Sequence, residues 1–167
     1  MPSAIEAIVA DAGPLIAFAR IDGLGWLPRL FDDVWVTPEV IAECLARPER
    51  HDARAIQSAL DAGVLRCRDA PSWQTYAEGL GAGESSTMAL ARQQRAAVLI
   101  DDRLARRVAN ELGLRVVGTL GVLVALKLRG HLPTVRPALE ELVRSGYFLS
   151  GPVIAEALRR AGEGDMS

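Results

Sequence analysis

The sequence has few of the residues that many chemistries depend on. Its two cysteines, Cys44 and Cys67, are too few for a disulfide framework and lack the paired spacing of a zinc site, so both are expected as reduced thiols. Its two histidines, His51 and His131, sit in a charged stretch before a helix and beside a helix-ending glycine. Neither has a sequence partner that would suggest a nucleophile–base pair. The longest apolar run, Gly121 to Leu126, is far too short to span a bilayer. No basic region followed by an apolar stretch marks a signal peptide, and the chain is expected to be soluble and cytoplasmic, with no membrane partner. Lysine is almost missing: Lys127 stands alone against eighteen arginines. Guanidinium forks suit phosphate oxygens, although a bias of coding toward arginine explains the same excess. A net charge of −2 argues against a global positive field. Aromatics are sparse at 5%, and Trp26, Trp35, Trp73, Tyr76 and Phe148 have no stacking-platform spacing, so they are expected mainly in the core or an interface.

What the sequence does have is an ordinary globular balance, 50% hydrophobic and 24% charged, in a length of 167 residues that fits one domain. Strand and helix patterns alternate along it. Ile5 to Ala10 reads as a buried strand ending at Asp11, and "AGPLIAFARI" as a helix with Pro14 in its first turn. Val34-Trp35-Val36 is a second strand, followed by Thr37 as N-cap and Pro38 at the first helical position. A helix over 53–60, an edge strand in "VLRCR" and a loop over "APSWQTYAEGLGAG" come next. A helix from Glu84 to about Gln94, a strand over 97–100, a helix over 103–112 stopped by Gly113, a strand over 115–117 and a helix ending at Gly130 complete the core, about 5–130. Two more helical segments, about 135–145 and 152–161, form a C-terminal part within about 135–163. No repeat or interdomain linker interrupts them. Alternation of this kind predicts an α/β fold, a mainly parallel sheet with helices on both faces.

Ligands of open parallel sheets bind beyond the carboxyl ends of the strands, and the acids of this chain fall there. Asp11 ends the first strand, and Asp101 with Asp102 ends the strand over 97–100. Glu43 lies on the helix after the second strand, and Glu84 opens a helix after "GLGAG". Two adjacent like charges repel by roughly 3 kcal/mol at an effective dielectric near 20, a cost that a divalent cation would remove. Hard cations such as Mg²⁺ take oxygen ligands of this type. Each acid also has a plain structural use: Asp11 in a turn, Glu43 on a solvated helix face, Glu84 against a helix dipole, one of the Asp101–Asp102 pair as an N-cap. "GLGAGES" and "GTLG" match no phosphate-binding glycine motif and read as turns. Ser85, Ser86 and Thr87 have no nearby histidine and read as residues of a helix's first turn.

The ordered set "ADAGPLIAFARI", "VTPEVIAECL", "GESSTMALARQQRAAVLIDDRLARRVANELGLRVVGTLGVL" and "SGYFLSGPVIAEALRRAGE" resembles the PIN-domain nucleases, in a PIN-like branch related to VapC-type toxins. The resemblance covers about residues 7–163. It implies a three-layer α/β/α sandwich around a mainly parallel sheet and an Mg²⁺- or Mn²⁺-dependent endoribonuclease. By motif position it implies catalytic roles for Asp11, Glu43, Glu84, Asp101 and Asp102, with Asp11, Glu84, Asp101 and Asp102 as metal ligands. The family's third acid falls nearer Ser86 than Glu84, so the chain departs from the pattern where a second acid is expected. Arg103, Arg106 and Arg107 are candidates for nucleic-acid contact, or else a solvated helix face. The resemblance further implies an RNA substrate, a homodimer and a small antitoxin partner. Two rival readings stay open: a PIN-like binding module without activity, and a phosphatase-type acidic enzyme, against which "DAGPL" lacks the second aspartate expected two residues after the nucleophile.

Overall fold

The computed structural model describes residues 5–74 and 76–164. Five short strands form one all-parallel sheet: β1 (Ile5–Ala10), β2 (Phe31–Val36), β3 (Arg66–Cys67), β4 (Ala97–Leu99) and β5 (Val116–Val117), in the spatial order β3-β2-β1-β4-β5. The central strands are apolar almost throughout because both of their faces are covered. In β1, Ile8 and Ala10 enter one core and Val9 the other; in β4, Ala97 and Leu99 enter the first and Val98 the second. This is the two-residue alternation of a pleated strand with a helical layer on each side.

Helices α1 (Ala12–Arg20), α3 (His51–Asp61), α6 (Thr119–Leu128), α7 (Arg136–Arg144) and α8 (Gly151–Arg160) supply apolar residues to the larger core. Phe18, Leu15, Leu123 and Leu126 are its largest fully buried side chains on α1 and α6, each worth roughly 1.5–3 kcal/mol in transfer from water. On the opposite face, α4 (Ala82–Gln94) buries Met88, Leu90 and Ala91, and α5 (Arg103–Glu111) buries Ala105, Val108 and Ala109. Helix α2 (Pro38–Cys44) starts as its sequence indicates, with Thr37 Oγ1 accepting from the Val40 N–H and Pro38 in the first turn. The architecture is the α/β/α sandwich expected of a PIN-like fold.

Several boundaries differ from the sequence reading, most clearly those of β2, α3 and α4, and one short element is additional. Strand β2 begins at Phe31 rather than Val34. Helix α3 begins at His51, where the imidazole bonds Asp22 Oδ1 at 3.0 Å. Helix α4 begins at Ala82, not Glu84: the small residues that read as a turn make its first turn, and Glu84 Oε2 folds back to accept from the Gly81 N–H at 2.9 Å. Leu24–Arg29 is a 3-10 helix with Pro28 inside it, too short to leave a hydrophobic period.

The sheet order places the crossover after β3 on the far side of β1. The order in which strands are laid down therefore reverses between β1 and β4, the topological switch point of the sheet. Ala10, Leu99 and Val117 are in register there. Asp11, Ile100 and Gly118 consequently follow at one level along the carboxyl edge. No helix among the described residues is long and apolar enough to cross a membrane.

Candidate functional site

Asp11 sits at the switch point. Its backbone N–H donates to the Leu99 carbonyl at 3.0 Å, tying the end of β1 to the end of β4. The residue is only 6% exposed, and Oδ1 is buried without a hydrogen-bond partner among the described residues. A carboxylate stripped of water and left unpaired resists ionisation. Burial therefore pushes the Asp11 pKa up to about 7; the Ala12 backbone N–H opposes this, and the charges of Glu84, Glu43 and Asp102 add to it. Three carboxylates from three other elements thus act on the one at the centre.

Each arrives by a different local device. Glu43 projects from α2, and its carboxyl lies so close to the first turn of α4 that a Cβ on Gly83 would collide with it. Partial desolvation raises the Glu43 pKa, the Gly83 backbone lowers it, and Glu84 raises it further. Glu84 is half-buried at the third position of α4, held by its bond to Gly81. Asp102 is the N-cap of α5, with Oδ2 accepting from the Ala105 N–H at 2.9 Å. Capping occupies one oxygen and leaves the charge of Asp102 acting on Asp11.

Asp101 has a different engagement from its neighbour. Oδ1 accepts from the Thr119 N–H at 2.8 Å, and Oδ2 accepts from Thr119 Oγ1 at 2.5 Å and from the Tyr147 hydroxyl. It fastens the start of α6 and the segment after α7 to the end of β4. Burial beside this carboxylate drives the Tyr147 pKa upward, so the phenol keeps its proton and stays a donor. The two adjacent acids therefore divide the work: Asp102 caps α5 and acts on Asp11, while Asp101 braces the scaffold.

Ser86 is fully buried and lies in a hydroxyl chain. It donates to the Gly83 carbonyl at 3.1 Å and meets Thr37 Oγ1 at 2.8 Å, which joins the first turns of α2 and α4. Among the arginines, Arg106 donates Nη1 to the Ile100 carbonyl at 3.1 Å, while Arg103 and Arg107 are exposed. Gly118 allows the Arg106 guanidinium to pass, since a Cβ there would collide with it. Burial pushes the Cys44 thiol up to about 12, which suits a core residue rather than a nucleophile.

Among the described residues, no three acidic, histidine or cysteine side chains are drawn close enough to form a ready ligand cage. The donor set nonetheless suits a hard cation: an orphaned buried carboxylate oxygen on Asp11, with the negative charge of Glu43, Glu84 and Asp102 around it. Sequence reasoning named these four acids, and Asp101 beside them as a ligand; the structure instead engages both Asp101 oxygens with Thr119 and Tyr147. It missed Thr119 and Tyr147, whose roles depend on contacts 18 and 46 residues from Asp101. It also missed Gly83 and Gly118, whose only local signal is their place beside a helix start.

A search of curated proteins finds no match to this sequence. A family model for the PIN domain matches residues 7–163, a span that begins within β1, passes through every acid described above and ends beyond α8. The chain belongs to the PIN-domain family.

Proposed function

We propose that this protein is a Mg²⁺- or Mn²⁺-dependent endoribonuclease whose centre is Asp11. PIN domains are generally nucleases that use divalent metals, which gives the hydrolase class. The observation that carries the finer reading is the buried, unpartnered oxygen of Asp11 with three carboxylates acting on it. Asp11, Glu84 and Asp102 would hold the cation, and Asp101 would keep the strand end and α6 in place through Thr119. When bound, the ion lowers the pKa of a coordinated water, orients the phosphate and stabilises the departing oxygen. Glu43, held against Gly83, orients the attacking water and accepts its proton on a carboxylate oxygen. Asp11 must shed its own proton before it can ligate, so cation affinity is expected to rise as pH rises toward about 7.

The resemblance to VapC-type toxins supports a wider setting: a homodimer that cleaves RNA until a small antitoxin covers the acids. A second reading, a PIN-like binding module without activity, draws on Ser86, which fills with a buried hydroxyl the place where another acid is expected.

The test is cleavage of a mixed pool of single-stranded and structured RNA with Mn²⁺, Mg²⁺ or EDTA, with Asp11→Asn purified identically alongside. The expected result is metal-dependent cutting, lost in EDTA and reduced at least about 100-fold in the variant. Equal cutting by both proteins, or none by either, would reject the enzyme reading.

A further inference from the structure

A groove of about 900 Å³ lies along the same carboxyl edge, between α5, the junction of β5 with α6, and the segment from Tyr147 to Ser150 that leads into α8. Arg103 and Arg106 line it from α5 and Arg160 from α8, and none of the three has an ion-pair partner among the described residues. The one acid in the lining is Asp101, whose oxygens already accept from Thr119 and Tyr147. The groove is therefore positive in balance, in a chain whose net charge is −2.

Phe148 also lines it and is 88% exposed, more than any other large apolar side chain described. Its position is set by its neighbours. Tyr147 before it is fastened to Asp101, and Leu149 after it packs on the core. An aromatic ring held in water by two anchored flanks, beside three guanidinium groups without a carboxylate partner, of which Arg106 is steadied by the Ile100 carbonyl, suits a planar base joined to phosphates. Position favours the same occupant. Asp101 belongs to the groove and Asp102, the next residue, acts electrostatically on Asp11, so the groove opens beside the strand end that delivers an acid to the centre.

We infer that this groove is a subsite for single-stranded nucleic acid, in which Phe148 stacks an unpaired base and Arg103, Arg106 and Arg160 hold the adjoining phosphates. As the approach to the acid centre it rests on the nuclease reading. Only an unpaired base presents a face to such a ring, so the groove selects strands that are open beside the scissile bond.

The experiment is fluorescence anisotropy of a labelled 12-nucleotide RNA, single-stranded or as a duplex, with the full chain in EDTA so that nothing is cut. Phe148→Ala is expected to weaken single-strand binding about tenfold with little effect on the duplex, and Phe148→Trp to restore it. Arg103→Ala and Arg160→Ala are each expected to flatten the salt dependence by about 0.7 in slope. Unchanged binding in Phe148→Ala and both arginine variants would overturn the inference. So would conversion of a dimer to a monomer by Phe148→Ala with RNA binding intact, which would make the groove a contact between two copies. Because binding is read without turnover, the two claims fail separately. A chain that binds through Phe148 but never cuts keeps the subsite and loses the enzyme. A chain that cuts while Phe148→Ala matches it in affinity and KM keeps the enzyme and loses the subsite.

Discussion

Asp11 carries a cost that the fold itself does not require. An asparagine would fill the same space without a charge, whereas the carboxylate is buried, has a bare oxygen and faces three like charges. The energetic consequence has a definite sign. With a folded pKa near 7 against an ordinary 3.8, the folded state holds its proton while the unfolded state releases it. Stability is then full below about pH 4, falls between about 4 and 7, and stays low above that. At 1.36 kcal/mol per unit the loss is on the order of 4 kcal/mol. Asp11→Asn is accordingly expected to be more stable than the wild type at pH 8 in EDTA, by roughly 2–4 kcal/mol, and nearly equal to it at pH 4. Urea denaturation at the two pH values measures both. A stabilising substitution at a buried carboxylate is the mark of a site that gave up stability for ligand binding.

At the scale of elements, the site depends on how closely α2 and α4 approach. The Thr37–Ser86–Gly83 hydroxyl chain joins their first turns, and the missing side chain at Gly83 leaves room for the Glu43 carboxyl. Gly83→Ala should leave the fold intact, since the far end of Glu43 can swing away and alanine favours a helix by up to about 1 kcal/mol over glycine. It should nevertheless displace the carboxylate proposed to orient water. The expected result is a fall in kcat of about tenfold with Tm within a few degrees, matched in direction by Glu43→Gln. Steady-state kinetics and thermal melts on the same preparations check it.

Elements with strong local signals were legible in the sequence. Thr37-Pro38 opens α2, and Gly113, in the left-handed conformation at φ 76°, closes α5. The start of α4 was not legible, because Gly81, Ala82 and Gly83 look like loop residues until Glu84 caps them. Nor was the 3-10 helix over Leu24–Arg29, which leaves no period to read.

For the whole molecule, the decisive fact is the sheet order. Adjacent strands β1 and β4 are separated by more than eighty residues, and their pairing brings Asp11 to the place where elements on both sides deliver acids. Asp11, Asp101 and Asp102 could be read from the strand ends, and Glu43 and Glu84 from the helices that carry them. Their division of labour could not, because which of Asp101 and Asp102 acts on Asp11 depends on Thr119 and Tyr147 reaching back from later elements. The exposure of Phe148 was hidden for the same reason: an aromatic in a C-terminal segment reads as core until the flanks that hold it outward are known.

The most direct test of the central claim, that the Asp11 centre is a divalent-cation site, is the thermal shift of the full chain with Mn²⁺ at pH 8, beside Asp11→Asn. Ligand at about 100 times Kd adds roughly 2.7 kcal/mol to the folded state, or about 5–10 °C in Tm for a chain of this size. The wild type is expected to gain that much at pH 8 and clearly less at pH 6, where Asp11 keeps its proton. The variant is expected to begin higher in EDTA and gain little at either pH. Equal shifts in both proteins, or none in the wild type at pH 8, would contradict the account.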